Sequence, residues 1–207
     1  MYYVCSGSTC TATIAPLSNQ VQNPVSHLPA DNNGVILQLP SVPLGGTTSV
    51  NGSLILGVGT QSNNTPSGVT MYPASSSGEF TTVFNSNTYS QSFIDIGSNG
   101  LFFDASSIST LPTCTSGVST GWFCPSSTQS LSATNKGYAG SPSGAVSFQI
   151  GNASSLFNSA NNVFIELCAP SPCTSFDWGL PFFLGRRVYV GIEGKTSSLG
   201  TGPYWAY

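Results

Sequence analysis

Charge is what this sequence lacks most. Only 5% of its 207 residues are Asp, Glu, Lys or Arg, against roughly a quarter in an average soluble domain. Four Lys and Arg residues cannot supply the basic track that neutralises a phosphate backbone, so the composition argues against nucleic-acid binding. Long apolar runs are missing too. The runs present, such as Val163-Phe164-Ile165, are strand-sized and fall far short of the ~20 residues of a membrane-spanning helix. Disorder is excluded from the other side, because the net charge is only -3 and 39% of residues are hydrophobic. What fills the gap is Ser, Thr, Asn and Gly. The composition fits a folded chain with a neutral polar surface, suited to a secreted, periplasmic or cell-surface setting.

The six cysteines fall into three local pairs: Cys5 with Cys10, Cys114 with Cys124, and Cys168 with Cys173. Six cysteines allow fifteen pairings, and proximity favours these three. A zinc site is disfavoured by the absence of C-x-x-C spacing and by the single histidine, His27. Disulfides imply an oxidising compartment. Such short loops are stapled locally rather than holding the fold together. "MYYVCSGSTC" has neither the basic region nor the apolar core of a secretion signal, so the chain is expected to be a piece of a longer precursor.

Helical periodicity is nearly absent. Residues 16–28 are expected to hold a short helix interrupted by Pro24. Elsewhere short apolar or alternating runs are punctuated by Gly, Pro, Asn and Ser, which are strand and turn signals. The expected strands are Val35–Leu39, Ser53–Val58, Val69–Met71, Thr81–Phe84, Ser92–Ile96, Gly100–Asp104, Ala145–Ile150, Asn162–Cys168, Phe182–Leu184 and Arg187–Glu193. Val163–Leu167 should be buried on both faces. Cys114–Ser143 reads as a long stapled loop and Asn63–Gly68 as a linker. The predicted class is all-β.

One carboxylate stands out. In "SFIDIGSNGLFF", residues 92–103, Asp95 sits inside an apolar run. Burying a carboxylate costs several kcal/mol unless hydrogen bonds compensate it. Gly97 lets the backbone approach and offers its N–H. Ser98 offers a hydroxyl, and Asn99-Gly100 turns the chain into the next strand.

Apolar-apolar-Asp-x-Gly-Ser followed by an apolar strand resembles the active-site loop of pepsin-like aspartic peptidases. Further stretches match in order. "NGSLILGVGT" (51–60) looks like the G-x-L-x-x-G stretch that closes the family's N-terminal lobe, and the segment ahead of it, residues 16–40, resembles the helix-then-strand that precedes that stretch. "AVSFQIGN" (145–152) resembles the strand pair after the C-lobe loop. "FDWGLPFFLGRRVYVGIEG" (176–194) resembles the terminal segment, with Gly179 on its glycine, Phe183 on its aromatic and Pro181 departing from its pattern. The nearest resemblance is to an uncharacterised family of secreted bacterial proteins related to these peptidases, whose members read "FIDSGSNGLFF" and "GLPFFFGRTVYTAIEG" at these places.

The resemblance implies a double-ψ β-barrel lobe in an incomplete bilobal architecture. Residues 1–66 would be a remnant of the N-terminal lobe with the inter-lobe linker, and 67–207 the C-terminal lobe. Asp95, supported by Gly97 and Ser98, would be one of two water-activating carboxylates. The pair shares one proton, because two like charges about 3 Å apart cannot both ionise. The second carboxylate would come from a missing N-terminal lobe or from a homodimer partner, so the chain alone is expected to be inactive. The substrate would be an extended polypeptide, with no cofactor and no metal. Ile96 departs from the pattern. The family has Thr or Ser there, and the lost cross-lobe hydrogen bond is worth about 1–2 kcal/mol. That departure leaves a second reading open, a non-catalytic binding or cell-envelope module derived from a peptidase. His27, Arg186-Arg187, Asp177 and Glu193 read as structural or solvated, and Trp122, Trp178 and Trp205 as core or interface anchors. Asn51, Asn63 and Asn152 begin glycosylation sequons.

Overall fold

The computed structural model describes residues 2–16, 19–106, 108–171 and 174–207. Sixteen strands follow one another among them: β1 (Tyr2–Ser6), β2 (Thr9–Thr13), β3 (Gly34–Gln38), β4 (Ser53–Leu56), β5 (Met71–Pro73), β6 (Phe80–Phe84), β7 (Asn87–Ile94), β8 (Leu101–Phe103), β9 (Gln129–Lys136), β10 (Ser143–Ile150), β11 (Cys168–Pro170), β12 (Asp177–Trp178), β13 (Arg187–Gly191), β14 (Thr196–Ser197), β15 (Gly200–Thr201) and β16 (Tyr204–Ala206). Helix is confined to short turns, with α1 (Ala153–Phe157) after β10 and α2 (Leu180–Phe183) after β12. The chain is all-β, and its main sheet closes nearly into a barrel.

That main sheet runs β10-β9-β6-β7-β12-β8-β11. Its centre is unusual. β7 and β8 are consecutive in the chain, yet β12 lies between them, parallel to β7 and antiparallel to β8. The loop joining β7 to β8 carries Asp95 and therefore spans the inserted strand. The second sheet runs β4-β3-β13-β16-β5. It pairs β3 with β13 over five residues, so residues on both sides of position 66 build one sheet. β1 and β2 form a separate hairpin with the Cys5–Cys10 disulfide across it.

The core is aromatic. Phe103 stacks on Phe176 at 4.8 Å, and Phe176 on Trp178 at 4.3 Å. Each such ring takes on the order of 150–250 Å² out of water, worth several kcal/mol at about 25 cal/mol per Å². A polar thread runs through this apolar mass. Trp178 Nε1 donates to Thr82 Oγ1 (3.0 Å), Thr82 Oγ1 donates to Asn135 Oδ1 (2.8 Å), and Asn135 Nδ2 donates to Tyr207 Oη (2.9 Å). Thr82, Asn135 and Trp178 are fully buried. Each polar atom in the thread has a partner, which is the condition for burying it without penalty.

Several elements differ from the sequence expectation. The supposed loop 114–143 contains β9, which pairs with both β10 and β6. Its sequence "QSLSATNK" is polar, and the residues it buries are Ala133 and Asn135, so no apolar alternation announces it. Phe182–Leu184 is not a strand. Phe182 and Phe183 close α2, with Pro181 in its first turn, where the missing N–H is harmless. Asn162–Cys168 is mostly a turn, with a single bridge at Val163 and pairing that begins only at Cys168. Within it Glu166 is buried at 2% exposure and accepts the Gly45 N–H. Of residues 16–28, Leu17 and Ser18 lie outside the described residues; Asn19 N donates to Pro16 O (2.8 Å), and a further short helical turn spans Pro24–His27. There Pro24 starts the turn rather than interrupting it, with Asn23 capping the Val25 N–H. Asn63–Gly68 is more ordered than a linker. Asn64 is fully buried and its side chain bonds Leu56 O, Thr60 N and Gln61 N.

Thr82→Val keeps the shape of the central polar link and removes its hydroxyl. Trp178 Nε1 and Asn135 Oδ1 both lose a partner, so unfolding in urea should show a loss of about 1–3 kcal/mol, read from the shift in midpoint at constant slope.

Candidate functional site

The site is built by strand alternation. Successive residues of a strand point to opposite faces. In the two-residue strand β12 this sends Trp178 into the core and leaves Asp177 half-buried on the other side. The neighbouring loop is fixed to β12 from both ends. Asp95 N donates to Trp178 O (3.1 Å) and Leu180 N donates to Ser98 O (2.7 Å). Between those bonds Gly179 passes so close to the loop that a Cβ there would overlap the carbonyl oxygens of Gly100 and Ser98. Trp122 packs against Gly100. It is held in the loop stapled by the Cys114–Cys124 disulfide, where Cys114 N donates to Trp122 O (2.8 Å).

Both donors expected for Asp95 are present. Gly97 N donates to Asp95 Oδ1 (2.8 Å), and Ser98 Oγ lies 3.1 Å from Asp95 Oδ2. These bonds answer the desolvation problem raised by a half-buried carboxylate in an apolar run. Ile96, between them, is 41% exposed and offers no hydroxyl. Asp95, Gly97 and Ser98 thus converge on one point, as their spacing predicts.

Asp177 was missed as a member of this cluster. Its Oδ2 stands 2.6 Å from Ser98 Oγ, closer than Asp95 does. Its Oδ1 is buried without a hydrogen-bond partner. Burial, aided by the neighbouring charge of Asp95, pushes its carboxyl up to about 6, against the lowering effect of the Ser98 hydrogen bond. The sequence signal was only its place two residues before Gly179. The 79-residue separation from Ser98 hides the contact from any local motif.

The other singled-out residues lie apart from this chemistry. His27 and Glu193 are exposed. Arg186 lies over the Phe182 ring and donates to Phe182 O, and Arg187 lies over Tyr189. Trp205 donates to Gly78 O. Asn152, the first residue of a sequon, is engaged as the cap of α1, accepting from Ser155 N and donating to Pro125 O. Asn51 and Asn63 are exposed. Cys168 is a buried free thiol whose Sγ contacts Gln149 O, and burial pushes its titration upward. Cys173, its expected disulfide partner, lies outside the described residues. No group of three or more His, Cys, Asp or Glu side chains is placed to hold a metal among the described residues. No helix among them is long and apolar enough to cross a membrane.

These features define an all-β protein whose central loop presents a carboxylate held by a glycine N–H and a serine hydroxyl, over a strand inserted from far along the chain. A family model described as "Protein of unknown function (DUF3443)" matches residues 1–207, and the chain belongs to that family. No curated protein and no solved structure matches it.

Gly179→Ala tests the close approach of loop and strand. The added methyl forces the two apart, with a loss of about 1–3 kcal/mol. The backbone amide of Leu180, released from Ser98 O, should exchange with deuterium faster than in the unmodified protein while the amides of β13 keep their protection.

Proposed function

We propose that this chain is the C-terminal lobe, with the end of the N-terminal lobe, of a secreted aspartic-endopeptidase-like protein. Asp95 is one of its two water-activating carboxylates. The observation that carries the reading is the Asp95 carboxylate, with one oxygen on the Gly97 N–H and the other beside the Ser98 hydroxyl, in a loop straddling the inserted strand β12. Such a loop fits the ψ arrangement of an aspartic-peptidase lobe. The pairing of β3 with β13 fits a sheet shared between two lobes.

In this mechanism one carboxylate of the pair takes a proton from water while the other, protonated, polarises the scissile carbonyl. The second water-activating carboxylate belongs to the opposite lobe, outside this chain, so these residues alone hold half of the device. An extended polypeptide lies across the cleft between the lobes. The two disulfides suit an oxidising compartment. A non-catalytic module is the second reading, and Ile96 favours it. Its exposed apolar side chain stands where a cross-lobe hydroxyl would tie the two loops together.

The full-length gene product should cleave unfolded casein at acid pH and be blocked by pepstatin. Asp95→Asn should lower kcat by about 10²-fold or more, the usual scale for losing a general base. Cleavage that survives the substitution removes Asp95 from the mechanism. A wild-type protein that cleaves nothing between pH 2 and 7, yet still binds unfolded chains, establishes the binding module instead.

A further inference from the structure

The serine between the two carboxylates poses a problem of counting. Ser98 Oγ lies within hydrogen-bond distance of Asp95 Oδ2 and of Asp177 Oδ2, but a hydroxyl has one proton to give. An ionised carboxylate only accepts. If both were ionised, one of the two contacts would set lone pair against lone pair, and the shorter one, at 2.6 Å, would be the worse. A second proton resolves the conflict. It belongs on Asp177, whose Oδ1 is buried with no donor. A carboxylate charge left there would be uncompensated, whereas the carbonyl of a neutral acid is tolerated far better.

We propose that Asp177 is a positioning residue for Asp95: it holds a proton on Oδ2, donates it to Ser98 Oγ, and so directs the single Ser98 proton onto Asp95. The arrangement rests on the assignment of Asp95 as the working carboxylate and adds an acid-dependent control to it. Only the Oδ2–H bond of Asp177 is formed or broken, its proton being taken up from or released to solvent as Asp177 titrates. When Asp177 ionises it becomes a competing acceptor, closer to Ser98 than Asp95 is. The hydroxyl then turns to Asp177, and Asp95 keeps only the Gly97 N–H.

The surroundings of Asp177 favour the proton. Phe93 on β7 and Phe102 on β8 flank it in register. The charge set against it is that of Asp95, and no cation is among the groups acting on it. Its raised titration, near 6, places the change between the ordinary carboxylate range and neutrality. The sign follows from linkage. A carboxyl raised on folding binds its proton more tightly in the native state, so its contribution to stability is complete below about pH 4 and lost as pH rises through about 6.

The test is a carbon-13 NMR titration of the aspartate carboxyls in the described chain, with no activity required. Asp177 should titrate near pH 6, and the Asp95 carboxyl signal should show an inflection at that same midpoint as it loses the Ser98 donor. Asp177→Asn supplies a pH-independent N–H to Ser98, so the inflection of Asp95 near pH 6 should vanish. The melting temperature of the wild type should fall relative to this variant between pH 4 and 7. Asp177→Asn should also extend the alkaline limb of kcat/KM in the full-length product. Titration of Asp177 in the ordinary carboxylate range, or an Asp95 signal indifferent to it, overturns the proposal. If casein is never cleaved but both NMR inflections coincide, the peptidase reading fails and the proton arrangement stands. Should cleavage depend on Asp95 while the inflections do not coincide, the peptidase reading stands and the arrangement falls.

Discussion

The insertion of β12 between β7 and β8 is the constraint on which the rest depends. Two residues do opposite jobs there because a strand alternates its faces. Trp178 enters the aromatic core and anchors the polar thread through Thr82 and Asn135 to Tyr207. Asp177 faces the loop and reaches Ser98. A slip of one residue would exchange them, putting a carboxylate into the core and an indole into the site. Gly179 guards that register, because the loop carbonyls leave no room for a side chain at its position. The Asp95 geometry is therefore inherited from the packing of Trp178, some eighty residues away in the chain.

What the sequence revealed follows the range of the contacts. The support of Asp95 by Gly97 and Ser98 spans two and three residues, so a four-residue motif encodes all of it. The contact of Ser98 with Asp177 spans 79 residues and is encoded by nothing local. Asp177 reads as structural from the sequence because it sits near the terminal segment. The long strand β9 was hidden for a different reason. Its inward positions include Asn135, a polar side chain buried as part of a network, and hydrophobic alternation cannot see a position whose burial is satisfied by hydrogen bonds. "LPFF" was ambiguous in principle, since a short apolar run fits a buried strand and a buried helical turn equally.

The scarcity of charge gives the site its character. With so few ionisable groups, no lysine or arginine among the described residues is among the groups acting on Asp177. Asp95 and Asp177 must be accommodated by hydroxyl, backbone amide and protonation alone. In a chain of ordinary composition a nearby cation would favour the ionised form of both carboxylates, and the Ser98 hydroxyl would be contested down to a lower pH. Here desolvation and the charge of Asp95 act in the same direction on Asp177, and both favour its protonated form.

The same scarcity bears on Ile96. A cross-lobe hydroxyl at that position would help set the loop against its partner, but the loop is already fixed from below by Asp95 N on Trp178 O and Leu180 N on Ser98 O. It is also fixed from the side by Trp122 against Gly100, itself held in a disulfide loop. These restraints lie within the chain and do not wait for another lobe. An apolar residue at position 96 therefore changes what the loop presents outward while the carboxylate cradle keeps its shape. The departure from the resemblance falls on an exposed side chain, and the hydrogen bonds of Asp95 with Gly97 and Ser98 are intact.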